Sequence, residues 1–179
     1  MTQHQENDNG FDLSTTGSEL SNTSNTNISE INSQSNRLLS IQWNINGLKS
    51  NVDELLLLVC QNPPIAIALQ ETRNRDNSFV GRFLKERYAW FNRVDPLNNS
   101  ARGVSLAVRT EYAPEQLILE PSIPAVAATI RSPCLATLVS LYLPPDTTTE
   151  VLINTLYSVF NASAHPVILI GYLNAQHEA

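Results

Sequence analysis

The chain has 179 residues, 42% of them apolar, and a formal net charge of −6. That length fits one domain with an appendage, and the apolar fraction is enough for a real core. No apolar run approaches the ~20 residues of a membrane span, no basic and apolar leader opens the chain, and two cysteines cannot build a structural zinc site.

The charge is unevenly spread. Residues 1–36 contain five acids and no Lys or Arg, and are rich in Ser, Thr, Asn and Gln. Such a segment cannot bury enough surface to offset its ordering entropy, so residues 1–36 read as a disordered, acidic, polar tail. The composition changes at Arg37, and a folded domain is expected over residues 37–179. That part is close to neutral, so the low overall pI does not argue against a nucleic-acid partner. Between Thr72 and Arg109 eight bases face three acids, a local charge of +5. This is either a solvated mixed surface or a phosphate-facing edge.

The first predicted element is a strand over "LLSIQWNI" (38–45), followed by a turn at "NGLKSN". A helix should start near Ser50 or Asn51, with Asp53 or Glu54 completing a capping box. Its body, "VDELLLLVCQ", is apolar nearly all round and is expected to be buried. Pro63 and Pro64 end it. "IAIALQE" (65–71) has the pattern of a strand covered on both faces. A weak helix over "FVGRFLKERY" precedes a strand at "AWFNRV".

Four more strands are expected at "GVSLAVR" (103–109), "EQLILE" (115–120), "AVAATIR" (125–131) and "LATLVSLYL" (135–143). Short links between them favour antiparallel pairing. A second long helix, capped by Asp146 or Thr147 with Glu150, should bury Val151, Leu152, Thr155, Leu156, Val159 and Phe160 on one face. "HPVILIG" reads as a last buried strand. Cys60 and Cys134 lie in apolar runs and are expected to be buried free thiols in a reducing compartment. The pattern is an α/β layered domain with a mixed sheet.

In such sheets, polar residues at the carboxyl ends of buried strands converge on the ligand site. Here the strand ends carry Asn44, Glu71, Tyr142, Tyr172 and Asn174. One carboxylate among amides and phenols suits Mg²⁺, which keeps several waters and takes only one or two protein carboxylates. The implied chemistry is metal-assisted attack of water on a phosphoester.

"WNINGL", "LQET", "RGVSLAVR", "LYLPP" and "GYLNA", in this order across residues 38–177, resemble the endonuclease/exonuclease/phosphatase family. The resemblance is nearest to the endonuclease domain of non-LTR retrotransposon polyproteins. It implies a four-layer α/β sandwich and Mg²⁺-dependent cleavage of phosphodiesters or phosphomonoesters, with Mn²⁺ as an alternative ion. It implies an intracellular protein, nuclear or cytoplasmic, with DNA as its partner and no membrane. It casts Glu71 and Asn44 as metal ligands, Tyr142 as a donor to the scissile phosphate, and Asn174 as a holder of a phosphate oxygen. Arg73 and Arg102 become the substrate-binding candidates. A non-catalytic nucleic-acid-binding remnant and a phosphatase on the same fold are the alternatives.

Two departures qualify the resemblance. Tyr172 stands where the family has an aspartate that orients and deprotonates the attacking water. A phenol, with an ordinary pKa near 10, is a poor proton acceptor at neutral pH, and losing one general base typically costs ~10²–10⁴-fold in rate. The family's later motifs, an aspartate and a terminal Ser-Asp-His, are also absent before residue 179. The expectation is therefore an incomplete domain with an exposed sheet edge, inactive or nearly so.

Overall fold

The structure is a computed structural model and describes residues 38–73, 80–93, 103–120, 122–145 and 147–173. Its first half holds β1 (Ser40–Asn44), α1 (Leu48–Gln61), β2 (Ala66–Gln70), α2 (Arg82–Arg87), β3 (Tyr88–Arg93) and β4 (Val104–Arg109). A 3₁₀ turn at Thr110–Tyr112 leads to β5 (Glu115–Leu117), β6 (Ala125–Ile130), β7 (Ala136–Tyr142), α3 (Thr149–Ala162) and β8 (Val167–Tyr172). The strands form two four-stranded sheets, ordered β1-β2-β4-β3 and β5-β6-β7-β8.

Both sheets follow the same plan. β1 and β2 are parallel and joined through α1, while β4 and β3 are added antiparallel. β7 and β8 are likewise parallel and joined through α3, with β6 and β5 added antiparallel. A parallel pair needs such a helical crossover. Each crossover brings a strand's carboxyl end to the same end of its sheet as its partner's.

Alternation along the strands sorts the side chains into three apolar layers. Between the sheets, Ala66, Ala68, Val104, Leu106 and Val108 meet Val126, Ala128, Ile130, Ala136 and Leu138. On the outer face of the first sheet, Ile67, Leu69 and Ala107 pack with Leu48, Leu55 and Val59 of α1 and Leu84 of α2. On the outer face of the second, Ala125, Ala127, Val139 and Leu141 pack with Val159 of α3. Helix, sheet, sheet, helix is the expected four-layer α/β sandwich. Every residue of β2 and β7 is buried, as expected of strands covered on both faces.

Several local expectations give way. α1 begins at Leu48, straight after Gly47, without a side-chain cap. Asn51 lies inside it with non-helical φ −119° and ψ 15°. Its side-chain amide turns back to donate to the carbonyls of Ile45 (2.8 Å) and Gly47 (3.1 Å). That bond competes with the helical ladder, so the expected start survives as a kink. α1 buries only one face. Leu57 and Leu58 are exposed, since among the described residues nothing packs outside the helix. The cap of α3 is Thr148, whose hydroxyl accepts from the amide of Val151. Val151 and Phe160 lie half exposed rather than in the core.

β5 stops at Leu117, and Ile118 beyond it is exposed. β8 is not a buried strand. Among the described residues it pairs with β7 alone, and Ile168 and Leu169 are exposed on it. Both cysteines are free, but both are exposed. Cys60 falls on the uncovered side of α1, and Cys134 in the link before β7. Among the described residues no helix is long and apolar enough to cross a membrane.

Tyr88 fixes the start of β3. It is buried, and its hydroxyl donates to the Pro64 carbonyl at 2.8 Å. Burial pushes its pKa from 10.0 up to about 12. The folded state thus holds the proton more tightly than the unfolded chain does. The stability this gives is complete below pH 10 and is lost as pH rises from about 10 towards 12, by at most about 1.4 kcal/mol per unit. Tyr88→Phe should cost about 1 kcal/mol at neutral pH in urea unfolding. The variant's stability should also fall less steeply than the wild type's through the alkaline window.

Candidate functional site

The site forms where β1, β2, β7 and β8 end. Asn44 is the last residue of β1, and Glu71 directly follows β2. Tyr142 and Tyr172 are the last residues of β7 and β8, and lie opposite each other in the parallel register. The strand ends are laced together by main-chain bonds. Ile45 N–H donates to the Gln70 carbonyl (3.0 Å), Gly47 N–H to Glu71 (2.8 Å) and Leu48 N–H to Thr72 (2.8 Å). Thr72 N–H in turn donates to the Gly103 carbonyl at 3.0 Å.

This lacing forces unusual backbone. Asn46, Glu71 and Arg73 have φ of 46°, 51° and 54°, and Gly47 has φ 110°. Non-glycine residues in the left-handed region cost of order 1–3 kcal/mol each and collect at functional sites. Three such residues, with Gly47, cluster at the Glu71 carboxylate.

That carboxylate is clamped. Asn44 Nδ2–H donates to Glu71 Oε1 at 2.9 Å, and Tyr142 Oη–H donates to the same oxygen at 2.9 Å. Among the described residues Glu71 Oε2 accepts no hydrogen bond. Asn44 Oδ1 is buried with no partner. A buried acceptor without a partner, on the amide that holds the carboxylate, calls for an unfilled contact such as an ion or a water. Hard oxygen donors with one carboxylate fit Mg²⁺, which retains much of its water shell. No group of three His, Cys, Asp or Glu side chains gathers among the described residues.

The Tyr172 ring lies nearly parallel to Tyr142, interplanar angle 10° and centroids 6.4 Å apart. Tyr142 is buried, whereas Tyr172 is 42% exposed and forms the outer wall. A β-carbon at Gly171 would run into the Leu141 carbonyl oxygen, so only glycine lets β8 lie this close to β7. That contact delivers Tyr172 to Tyr142.

Four of the predicted site residues, Asn44, Glu71, Tyr142 and Tyr172, are therefore joined in one chain of contacts. Arg73 sits two residues past Glu71, exposed and over Gly47, and makes no ion pair or hydrogen bond among the described residues. Asn174 and Arg102 lie outside the described residues. Much of the basic 72–109 stretch is engaged internally. Arg82 pairs with Glu86 and Arg109 with Glu111, Arg87 covers the Phe83 ring, and Arg93 donates to the Glu120 carbonyl.

Sequence reading missed the buried polar pair behind the site. Gln70 and Ser140 are both fully buried, and Gln70 Nε2–H donates to Ser140 Oγ at 3.1 Å. The available signal was a polar residue inside each of two otherwise apolar strands.

No family model and no curated protein matches the chain. Solved structures do. The endonuclease domain of TRAS1, a telomere-specific non-LTR retrotransposon, superposes with a TM-score of 0.57 at 21% identity, over 77% of this chain and 59% of that one. The 3′ phosphatase NExo from Neisseria, bound to a product DNA hairpin, gives 0.56 at 17% identity, over 75% and 57%. The catalytic domain of human Nocturnin with bound sulfate gives 0.51 at 16%, over 76% and 64%. The chain thus spans less than two thirds of each of these structures. At such identities the likeness is one of fold.

Gly171→Ala should cost about 1–3 kcal/mol in urea unfolding, the usual range for forcing extra volume into packed structure.

Proposed function

From a chain with the fold of the endonuclease/exonuclease/phosphatase proteins, we propose a divalent-cation site of the phosphodiester-hydrolase type, descended from a DNA-nicking endonuclease, in a form that turns over little or not at all. The observation that carries this reading is the Glu71 carboxylate. It is held by Asn44 and Tyr142 at strand tips from both sheets, with Asn44 Oδ1 unpaired beside it.

Glu71 Oε2 and Asn44 Oδ1 would hold Mg²⁺ or Mn²⁺. Bound there, the ion would supply charge stabilisation to a phosphoester oxygen and to the leaving group. The chain's own groups do the rest. The Tyr142 hydroxyl stands at the inner wall, where it can pass from the carboxylate to a phosphate oxygen. Asn174, just past β8, is assigned to a phosphate oxygen in the transition state. Arg73, exposed beside Gly47, offers its guanidinium to a flanking phosphate, and a planar fork suits that geometry. Arg102 is assigned the same part.

Tyr172 is the reason for low turnover. It offers a hydroxyl, already packed along Tyr142, where the resemblance puts a carboxylate. It neither accepts a proton readily nor leaves the space in which a carboxylate would position water. The retroelement lineage is favoured over a phosphatase by the "GYLNAQH" string, whose Ala-x-His extension matches that group.

Binding and turnover are tested separately. Mn²⁺ titration followed by electron paramagnetic resonance should show one site that Glu71→Gln weakens at least ten-fold. Equal binding by both proteins would remove the cation reading. Nicking of supercoiled plasmid with Mg²⁺ should not exceed that of Glu71→Gln. Turnover above background that this substitution abolishes would show the enzyme to be active and Tyr172 to be no barrier.

A further inference from the structure

Two polar rungs cross from β2 to β7. The outer rung is Tyr142 Oη to Glu71 Oε1, and the inner rung is Gln70 Nε2 to Ser140 Oγ. Gln70 immediately precedes Glu71. Ser140 lies two residues before Tyr142, on the same face of β7. Gln70 is anchored from behind as well, because its Oε1 accepts from Gln42 Nε2 at 2.7 Å.

Elsewhere the two sheets meet through Ala66, Ala68, Ala128, Val126 and other apolar side chains. Such contacts are non-directional and do not by themselves choose one hydrogen-bonded offset. A hydrogen bond between fully buried groups is directional, and either partner left alone inside is penalised. The inner rung is therefore the nearest element that sets where β7 stands along β2, one residue from the site.

We propose that Gln70 is a positioning residue. Its amide, oriented by Gln42 and tied to Ser140, fixes the offset between the sheets at which the Tyr142 hydroxyl reaches Glu71. It thereby aims Glu71 Oε2 and Asn44 Oδ1 at a common point. The role needs an acceptor on one side and a donor on the other, which a primary amide supplies and a carboxylate or an apolar side chain does not. The inference rests on the proposed cation site for its functional meaning, but its geometric content stands apart from that reading.

The test uses the full chain, with Gln70→Met, Ser140→Ala and the double variant, which replaces both buried partners with apolar groups. The readouts are urea unfolding, Mn²⁺ affinity, and the ¹H–¹⁵N signals of the Asn44 side-chain amide, identified by their loss in Asn44→Asp. Each single variant should fold, shift the Asn44 amide signals and weaken Mn²⁺ binding about ten-fold. The double variant should be no worse than either single one, as expected for groups acting through one bond. Folded variants with unmoved Asn44 signals would overturn the proposal, as would loss of fold in all three. If the wild type binds no Mn²⁺ while the Asn44 signals still shift, the cation reading fails and the positioning role stands.

Discussion

The structure turns on one carboxylate oxygen shared by two sheets. Glu71 Oε1 receives an amide proton from the first sheet and a phenolic proton from the second. Each donor would be costly to leave unpaired at the edge of an apolar core, and the carboxylate settles both at once. The arrangement also occupies one oxygen with two donors, while the other accepts no hydrogen bond among the described residues. A carboxyl group so divided is held in orientation without being used up, which is what a ligand for an exchangeable hydrated ion requires.

The rest of the fold supplies that oxygen with its address. Two parallel strand pairs, each closed by a helix, place four strand ends together. Main-chain bonds from Ile45, Gly47 and Leu48 to the 70–72 segment then pull the β1 and β2 ends into one surface, at the expense of left-handed backbone at Asn46, Glu71 and Arg73. Strain of this size persists only where surrounding bonds over-determine the conformation. Here they do so on both sides, through Asn51 beneath the first loop and Gly103 beside the second.

The sequence made the layered fold legible because β2 and β7 carry apolar residues on both of their faces, and such strands have no stable place except between two covered faces. Asn44, Glu71 and Tyr142 were legible for a related reason: each is a polar group at or just past the carboxyl end of a strand. Other features depend on neighbours far along the chain. α1 looks uniformly apolar, yet which of its leucines are covered is decided by the second layer, and one layer covers one face. β8 reads as buried from "VILIG" alone, yet burial needs a strand on each side. The cysteines were misjudged in the same way, from apolar neighbours in sequence instead of in space. Gln70 and Ser140 were passed over because a single polar residue in a strand looks like an interruption, and its meaning appears only when the opposing strand presents its partner.

The free edge of β8 has a consequence for handling the molecule. "VILIGY" contains no charge and no proline, and its open side offers a row of main-chain donors and acceptors beside exposed Ile168 and Leu169. Natural sheets blunt such edges with lysine, proline or bulges, and among the described residues this one has only Pro166 at its start. The strand that brings Tyr172 to the site is thus, among the described residues, also an unpaired edge of the kind that can template pairing with another strand.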